Sequence, residues 1–383
     1  MAGGKSESFS PDGTTTTSRT SNKGNLTIWL LLSTFAVCIG SSFQFGYNTG
    51  VLTGVSELAI TVGILIAQVF GLYVLNSSED WPLCLALTGV FGLGGCLILI
   101  ICPESPRWLL NQGEEDKARA AMVKLRGNDD VKNEMEEMKE EYRNEVANDE
   151  GKTTMLDVIR LKESWWKMPL IISVLLHAGQ QFSGINAVMF YATEIYKQAN
   201  MEVEAIGLAT VGTGLVNVVM TLVAVYVVDR TGRRVLMLYP YAAMIFVTAF
   251  ITLSLSLEGE AWKWVSLTFI YLYIIGFAIG PGPMPFVVVP ELWAQGPRPA
   301  AMSLAVQCNW WSTFLVGLAF PFMQEGIGDF TFLVFTFFLA LTTVFIYFFV
   351  PETKNKTFDE ITSKFKRDAI KSQLNGELES HRV

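Results

Sequence analysis

The stretch Gln180-Gln181-Phe182-Ser183-Gly184-Ile185-Asn186-Ala187-Val188-Met189-Phe190-Tyr191 puts three carboxamides inside an apolar segment running from about Leu170 to Ile195. About 20 mostly apolar residues cross the hydrocarbon of a bilayer, so the segment reads as a membrane span. Amides at that depth are costly unless they meet each other, a cavity or a ligand. On an unbroken helix, at about 100° per residue, Gln181 and Asn186 would stand roughly 140° apart, and one straight helix would not aim both at one place. A break near Ser183-Gly184 would, because glycine interrupts a helix readily and irregular backbone at membrane depth lines cavities and ligand sites. The alternative is amides that hold neighbouring helices together.

The composition around this stretch agrees with a membrane setting. The 383-residue chain is 51% hydrophobic and only 17% charged, the balance of a multispan membrane protein. Its net charge of -8 lies in loops and tails and offers no basic surface to nucleic acid. Cys38, Cys84, Cys96, Cys102 and Cys308 lie in or beside apolar spans without metal or disulfide spacing and read as small apolar fillers. His177 and His381 are too few for a histidine metal centre, so neither metal nor cofactor is expected. No nucleophile, base and orienting group occur together with local spacing, which argues against an enzyme.

Outward from the centre, residues 1–26 are rich in Ser, Thr, Gly and Lys and read as a disordered tail. A first span covers about Leu26 to Val51, with Ser41, Gln44 and Asn48 on one helical face. A short link leads to a second span, about Leu58 to Leu75, with Gln68 at mid-membrane, and a third covers about Trp81 to Ile101. Residues 103–166 are strongly charged and read as a cytoplasmic helical linker. Six apolar segments follow within 167–350, at about 168–195, 204–228, 235–256, 264–290, 299–323 and 330–350, and a cytoplasmic tail covers 351–383. Thr210, Thr213, Asn217 and Thr221 form a polar helical face aimed inward, and Asn309 and Thr313 lie one turn apart beside Trp310 and Trp311. Gly280-Pro281-Gly282-Pro283-Met284-Pro285 removes backbone donors and should bend its helix.

Short loops carrying Arg230, Arg233, Arg234 and Arg298, and Lys354 to Arg367 after the last span, face the cytoplasm by the positive-inside tendency, and so does the C-terminus. Pro103-Glu104-Ser105 closes the first set of spans and Pro351-Glu352-Thr353 the second, the mark of a duplicated half. The second copy has six spans and the first about three. If nine segments all cross, the N-terminus lies opposite the C-terminus, although Lys5, Arg19 and Lys23 favour the same side; either the first span inverts, or it does not cross, or the chain is badly assembled, and Asn25 and Asn76 head sequons that report on this.

These residues resemble an animal facilitative glucose transporter of the sugar porter family, in the major facilitator superfamily. The resemblance rests on Phe45-Gly46-Tyr47-Asn48-Thr49-Gly50-Val51, Gly63 to Leu72, the PESPRW run at 103–108, the Gln180 to Asn186 run, Asp229-Arg230-Thr231-Gly232-Arg233-Arg234, Gly280 to Pro283, Glu291 to Arg298 and the PETK run at 351–354. It implies an all-α membrane protein with a major facilitator fold: an incomplete N-terminal half, a complete six-helix C-terminal half, and about nine transmembrane helices in all. It also implies hexose as substrate, the plasma membrane as location and alternating access as mechanism. The family's sugar contacts fall on Gln180, Gln181, Asn186, Asn217 and Gln68, with Asn309 and Trp310 at further pocket positions. Phe286 stands where the family has tryptophan, Ala278 where it has glutamate and Thr313 where it has an amide. The family's cytoplasmic charge network falls on Glu104, Arg107, Asp229, Arg233, Arg234, Glu291 and Arg298. Asn48 replaces the aspartate of proton-coupled relatives, and an amide does not titrate near neutral pH, which favours uniport.

The family's second to fourth spans are absent between Val51 and Leu58. Two readings of function therefore compete. One is facilitative hexose transport by a shortened form. The other is a transport-deficient, sugar-binding or regulatory partner that associates with full-length transporters.

Overall fold

The computed structural model describes residues 51–74, 81–147, 153–228, 230–257, 259–294, 296–356, 360–367 and 369–370. The expected N-terminal tail, most of the first span with Ser41, Gln44 and Asn48, the sequons at Asn25 and Asn76, and Asp229 lie outside the described residues. Among the described residues every regular element is helical.

Helix α1 (Val51–Val69) runs on into a π-helical turn, Phe70–Val74. The short link expected before Leu58 is instead helical, because Val51, Leu52, Val55 and Leu58 continue a 3.6-residue apolar period with no proline to interrupt it. Helix α2 (Trp81–Ile101) follows, with its main described contact at that π-helical turn. Helices α3 (Pro106–Asn111), α4 (Glu115–Arg126) and α5 (Lys132–Ala147) then build a small core of their own from Leu109, Leu110, Ala118, Ala121, Met122, Val131 and Met135. Arg126 and Glu134 pair across it at 2.9 Å, and Lys139 pairs with Glu115. Helix α6 (Met155–Ile159) starts at a capping box in which Thr154 and Asp157 satisfy each other's backbone N–H groups.

The main bundle comprises α7 (Lys167–Phe182), α8 (Ile185–Phe190), α9 (Ala192–Gln198), α10 (Val203–Val228), α11 (Arg233–Leu255), α12 (Glu260–Ile279), α13 (Met284–Leu292), α14 (Arg298–Ile327) and α15 (Thr331–Phe349). Helix α11 packs between α15 and α12, α7 packs on α14 and α15, and α10 joins α12 to α1. By length and composition, five apolar stretches among the described residues are able to cross a membrane, the longest covering both α14 and α15.

Between such helices lipid removes most of the hydrophobic driving force, so packing and buried polar contacts worth about 0.6–2 kcal/mol each decide association. Thr248 Oγ1 meets Thr336 Oγ1 at 2.8 Å between α11 and α15, and Ser266 Oγ donates to Ser254 Oγ at 2.9 Å between α12 and α11. Tyr271 OH donates to the Ala209 carbonyl at 3.1 Å, tying α12 to α10. Trp293 is fully buried, and its Nε1 donates to Ser173 Oγ at 3.0 Å. The start of the expected C-terminal tail folds back as a helix over 360–367, because the i, i+4 pair Ile361 and Phe365 buries in the bundle while Lys366 lies 5.3 Å from the ring of Trp165.

Candidate functional site

The central apolar segment breaks where its sequence predicts. Helix α7 ends at Phe182, and Gly184 takes φ +94° before α8 begins. That backbone region favours glycine, and a Cβ at this position would come within 2.6 Å of the Phe335 ring. A second irregularity at Tyr191 separates α8 from α9, and the Tyr191 hydroxyl donates to the Gly317 carbonyl at 2.9 Å.

The break turns Asn186 back toward Gln181, whose Oε1 accepts from Asn186 Nδ2. Gln181 Nε2 donates to Asn309 Oδ1 at 2.9 Å and lies 3.3 Å from Gln180 Oε1. Asn309 Nδ2 donates to Gln180 Oε1 and, at 3.3 Å, to the His177 carbonyl. Gln180 Nε2 donates to the carbonyls of Pro281 and Gly282 at 2.9 and 2.6 Å. Thr313 joins at the far end, 3.4 Å from Asn186 Nδ2. Four of the expected amides thus form one continuous network reaching from α8 through α7 and α14 to the α12–α13 break. Carboxamides offer both donor and acceptor, so the network can exchange partners with hydroxyl groups.

Gln68 and Asn217 stand at a different place, the contact of α1 with α10. Asn217 is buried one turn beyond Gly214, against which the Gln68 carboxamide packs. Gln68 Oε1 is buried and has no hydrogen-bond partner among the described residues. A buried acceptor without a donor costs about 1–3 kcal/mol, so this oxygen is poised to accept. Phe286 stands edge-on to His177, with ring centroids 4.9 Å apart. His177 Nε2 is also buried without a partner among the described residues, which its position just before the glutamines does not reveal. Trp310 is 60% exposed on α14 and outside the hydrogen-bonded network. Two surface hollows, one of about 670 Å³ lined by Gly326, Ile327, Phe330 and Leu333 and one of about 430 Å³ lined by Leu315, Leu318 and Phe322, are apolar and contain none of these amides.

At the basic end of the bundle, Arg233 Nε donates to Glu291 Oε1 at 3.3 Å, and Thr353 Oγ1 donates to Glu291 Oε2. Glu352 accepts from the backbone N–H groups of Arg233 and Arg234 at 2.8 and 3.2 Å, sitting on the N-terminus of α11 where four N–H groups lack helical partners and the dipole favours an anion. Gly232 permits this approach, since a Cβ there would strike the Glu352 carboxylate. Arg298 donates to the Trp293 carbonyl at 3.0 and 3.2 Å, and Arg234 donates to the Tyr347 carbonyl. Glu104 is exposed after α2, and Arg107 is half-buried on α3, a helix that packs with α4 and α5. Of the expected charges, Arg233 and Glu291 meet, and the partners that complete the cluster are Glu352 and Thr353. A repeated PE dipeptide was the only signal for the former.

The sequence profile described as "Sugar (and other) transporter" matches residues 48–365. "Solute carrier family 2, facilitated glucose transporter member 3" of Ovis aries is 43% identical over 321 residues, covering 83% of this chain and 64% of that protein. Member 1 of Gallus gallus is 42% identical over 322 residues, with the same coverage of 83% and 64%. The chain thus spans less than two thirds of the length of these curated relatives. The solved structure of "the MFS (major facilitator superfamily) proton:xylose symporter XylE bound to 6-bromo-6-deoxy-D-glucose" superposes with a TM-score of 0.68 at 24% identity, covering 88% of this chain and 70% of that one, and speaks to the fold. With the broken amide-bearing helix, the bundle and these likenesses together, the chain is a multi-pass membrane protein of the major facilitator fold and belongs to the "Sugar (and other) transporter" family.

Proposed function

We propose that the chain binds a hexose, D-glucose first among candidates, and carries it across the plasma membrane as a uniporter by alternating access. The observation that carries this reading is the run of carboxamides at the α7–α8 break, Gln181, Asn186 and Asn309, together with the unpartnered oxygen of Gln68 near Asn217. Sugar hydroxyls both give and take hydrogen bonds, and each amide can exchange a neighbour for a hydroxyl at little net cost. Phe286 and Trp310 would supply apolar ring surface, and Gln180 would back the contacting amides. The C-terminus and the basic loops would face the cytoplasm. There, Arg233, Glu291 and Glu352 would lock loops in one access state and release them in the other, which is a shift of populations.

Saturable D-glucose uptake into vesicles containing the purified chain, unchanged when the proton gradient is collapsed, is the expected result. Uptake no faster than in protein-free vesicles would remove transport by this chain alone. The second reading is a chain that lacks the family's second to fourth spans and does not itself transport, since alternating access rocks two halves against each other. In that case it binds hexose and modulates a full-length relative. Co-purification with such a relative and a reduced flux through it would mark this role.

A further inference from the structure

The two helix breaks stand in a reciprocal relation that goes beyond sugar binding. At the α12–α13 break, the carbonyl of Pro281 would find its helical donor four residues on, but that residue is Pro285, which has no N–H. The donor comes from α7 instead: Gln180 Nε2 reaches Pro281 O at 2.9 Å and the neighbouring Gly282 O at 2.6 Å. At the α7–α8 break, the turn through Gly184 takes the carbonyl of Ser183 out of the helical ladder. Its donor comes from α12: the Tyr273 hydroxyl gives its proton to Ser183 O at 2.8 Å. Ser183 Oγ in turn donates to the Gln180 carbonyl at 2.6 Å, so the residue that braces one break is itself held at the edge of the other. Tyr273 is fully buried and Gln180 only 4% exposed, which keeps water from replacing either donor.

We propose that Gln180 is a positioning residue and that Gln180 and Tyr273 cross-brace the two broken helices, so that both breaks loosen and tighten as one unit. A carboxamide has two N–H donors, and Gln180 Nε2 directs them to the backbone carbonyls of Pro281, whose helical donor position is a proline, and of Gly282. Gln181 and Asn186 differ, because they bond to other side chains that are free to re-pair. The inference holds whether or not the chain carries a hexose.

Hydrogen exchange in lipid nanodiscs tests it without reference to transport. Tyr273→Phe removes one oxygen, and Gln180→Leu removes the donors while keeping bulk. Each variant is expected to speed exchange about threefold to tenfold at both breaks, at Asn186 to Val188 and at Gly282 to Val287. The double variant should exchange no faster at either break than the faster single. Exchange across α11 provides the reference for an intact fold. Acceleration confined to the break whose own carbonyl lost its donor overturns the proposal. If Gln180→Leu does not fold, Tyr273→Phe decides alone: faster exchange at Gly282 to Val287 supports coupling, and unchanged exchange there rejects it.

Discussion

Glu352 holds the backbone N–H of Arg233 at 2.8 Å, so a residue just after the last span caps the helix that begins 119 residues earlier. The same carboxylate takes the N–H groups of Arg234, Thr353 and Lys354. Helix α11 therefore starts on a charge supplied by the segment that follows α15.

Replacing Glu352 by Ala should cost about 1–2 kcal/mol of stability, from a lost charge-assisted cap at a partly exposed helix end. Glu352→Gln, which keeps an acceptor oxygen but not the charge, should lose less. Thermal unfolding in detergent at fixed ionic strength checks this; equal losses for both would assign the whole effect to the charge, and no loss for Glu352→Gln would assign it to the acceptor alone.

Gly184→Ala should destabilise by about 1–3 kcal/mol from backbone strain at positive φ, with a further loss from overlap with Phe335. Adding Phe335→Leu should recover the overlap and leave the strain. Full recovery in the double variant would show that conformation at this residue matters little.

Gln181→Leu and Asn217→Leu should each weaken D-glucose binding about tenfold or more, since each removes a carboxamide and leaves polar neighbours unpaired. Equilibrium binding to the purified protein reads this separately from flux. Unchanged affinity in both, with the fold intact, would place the hexose elsewhere or nowhere.

The capping box of α6 gives a pH prediction. Hydrogen bonds from the Thr154 side chain and backbone hold the Asp157 carboxyl below its ordinary value of 3.8. A depressed carboxylate pKa contributes stability that is present above 3.8 and lost as the pH falls through the lower folded-state value. Wild type should therefore protect the amides of Met155 to Ile159 better than Asp157→Asn near neutrality, and the advantage should disappear in strong acid. A difference that persists in strong acid would contradict the role of ionisation.

How far the sequence carried depended on how local each signal was. Gly184 could be read because glycine between the Gln180-Gln181 pair and Asn186 is itself the break, and the 3.6-residue period of each apolar segment marked its helix. The proline run announced an irregularity, but which carbonyls it would strand depends on Pro285 standing four residues past Pro281. Their donor, Gln180, is 101 residues away. Glu352 escaped the same way, since a dipeptide repeat says nothing about the helix end it will cap. Resemblance places Glu104 and Arg107 in the charge network; Glu104 lies in the non-helical corner before α3, and Arg107 on a helix that packs with α4 and α5.

Helix α2 has a consequence of a different kind. Leu83, Leu85, Val90, Leu93, Leu97 and Ile100 are all more than half exposed, with Ile100 at 80%. Seated in a bilayer as the expected third span, a rod with so much exposed apolar surface would take its tilt from the thickness of the surrounding acyl layer, leaning further in a thin bilayer than in a thick one. Lipids with longer or shorter tails would thus re-aim α2, and with it the Pro103-Glu104-Ser105 corner, while the densely packed helices around Trp293 stay where they are.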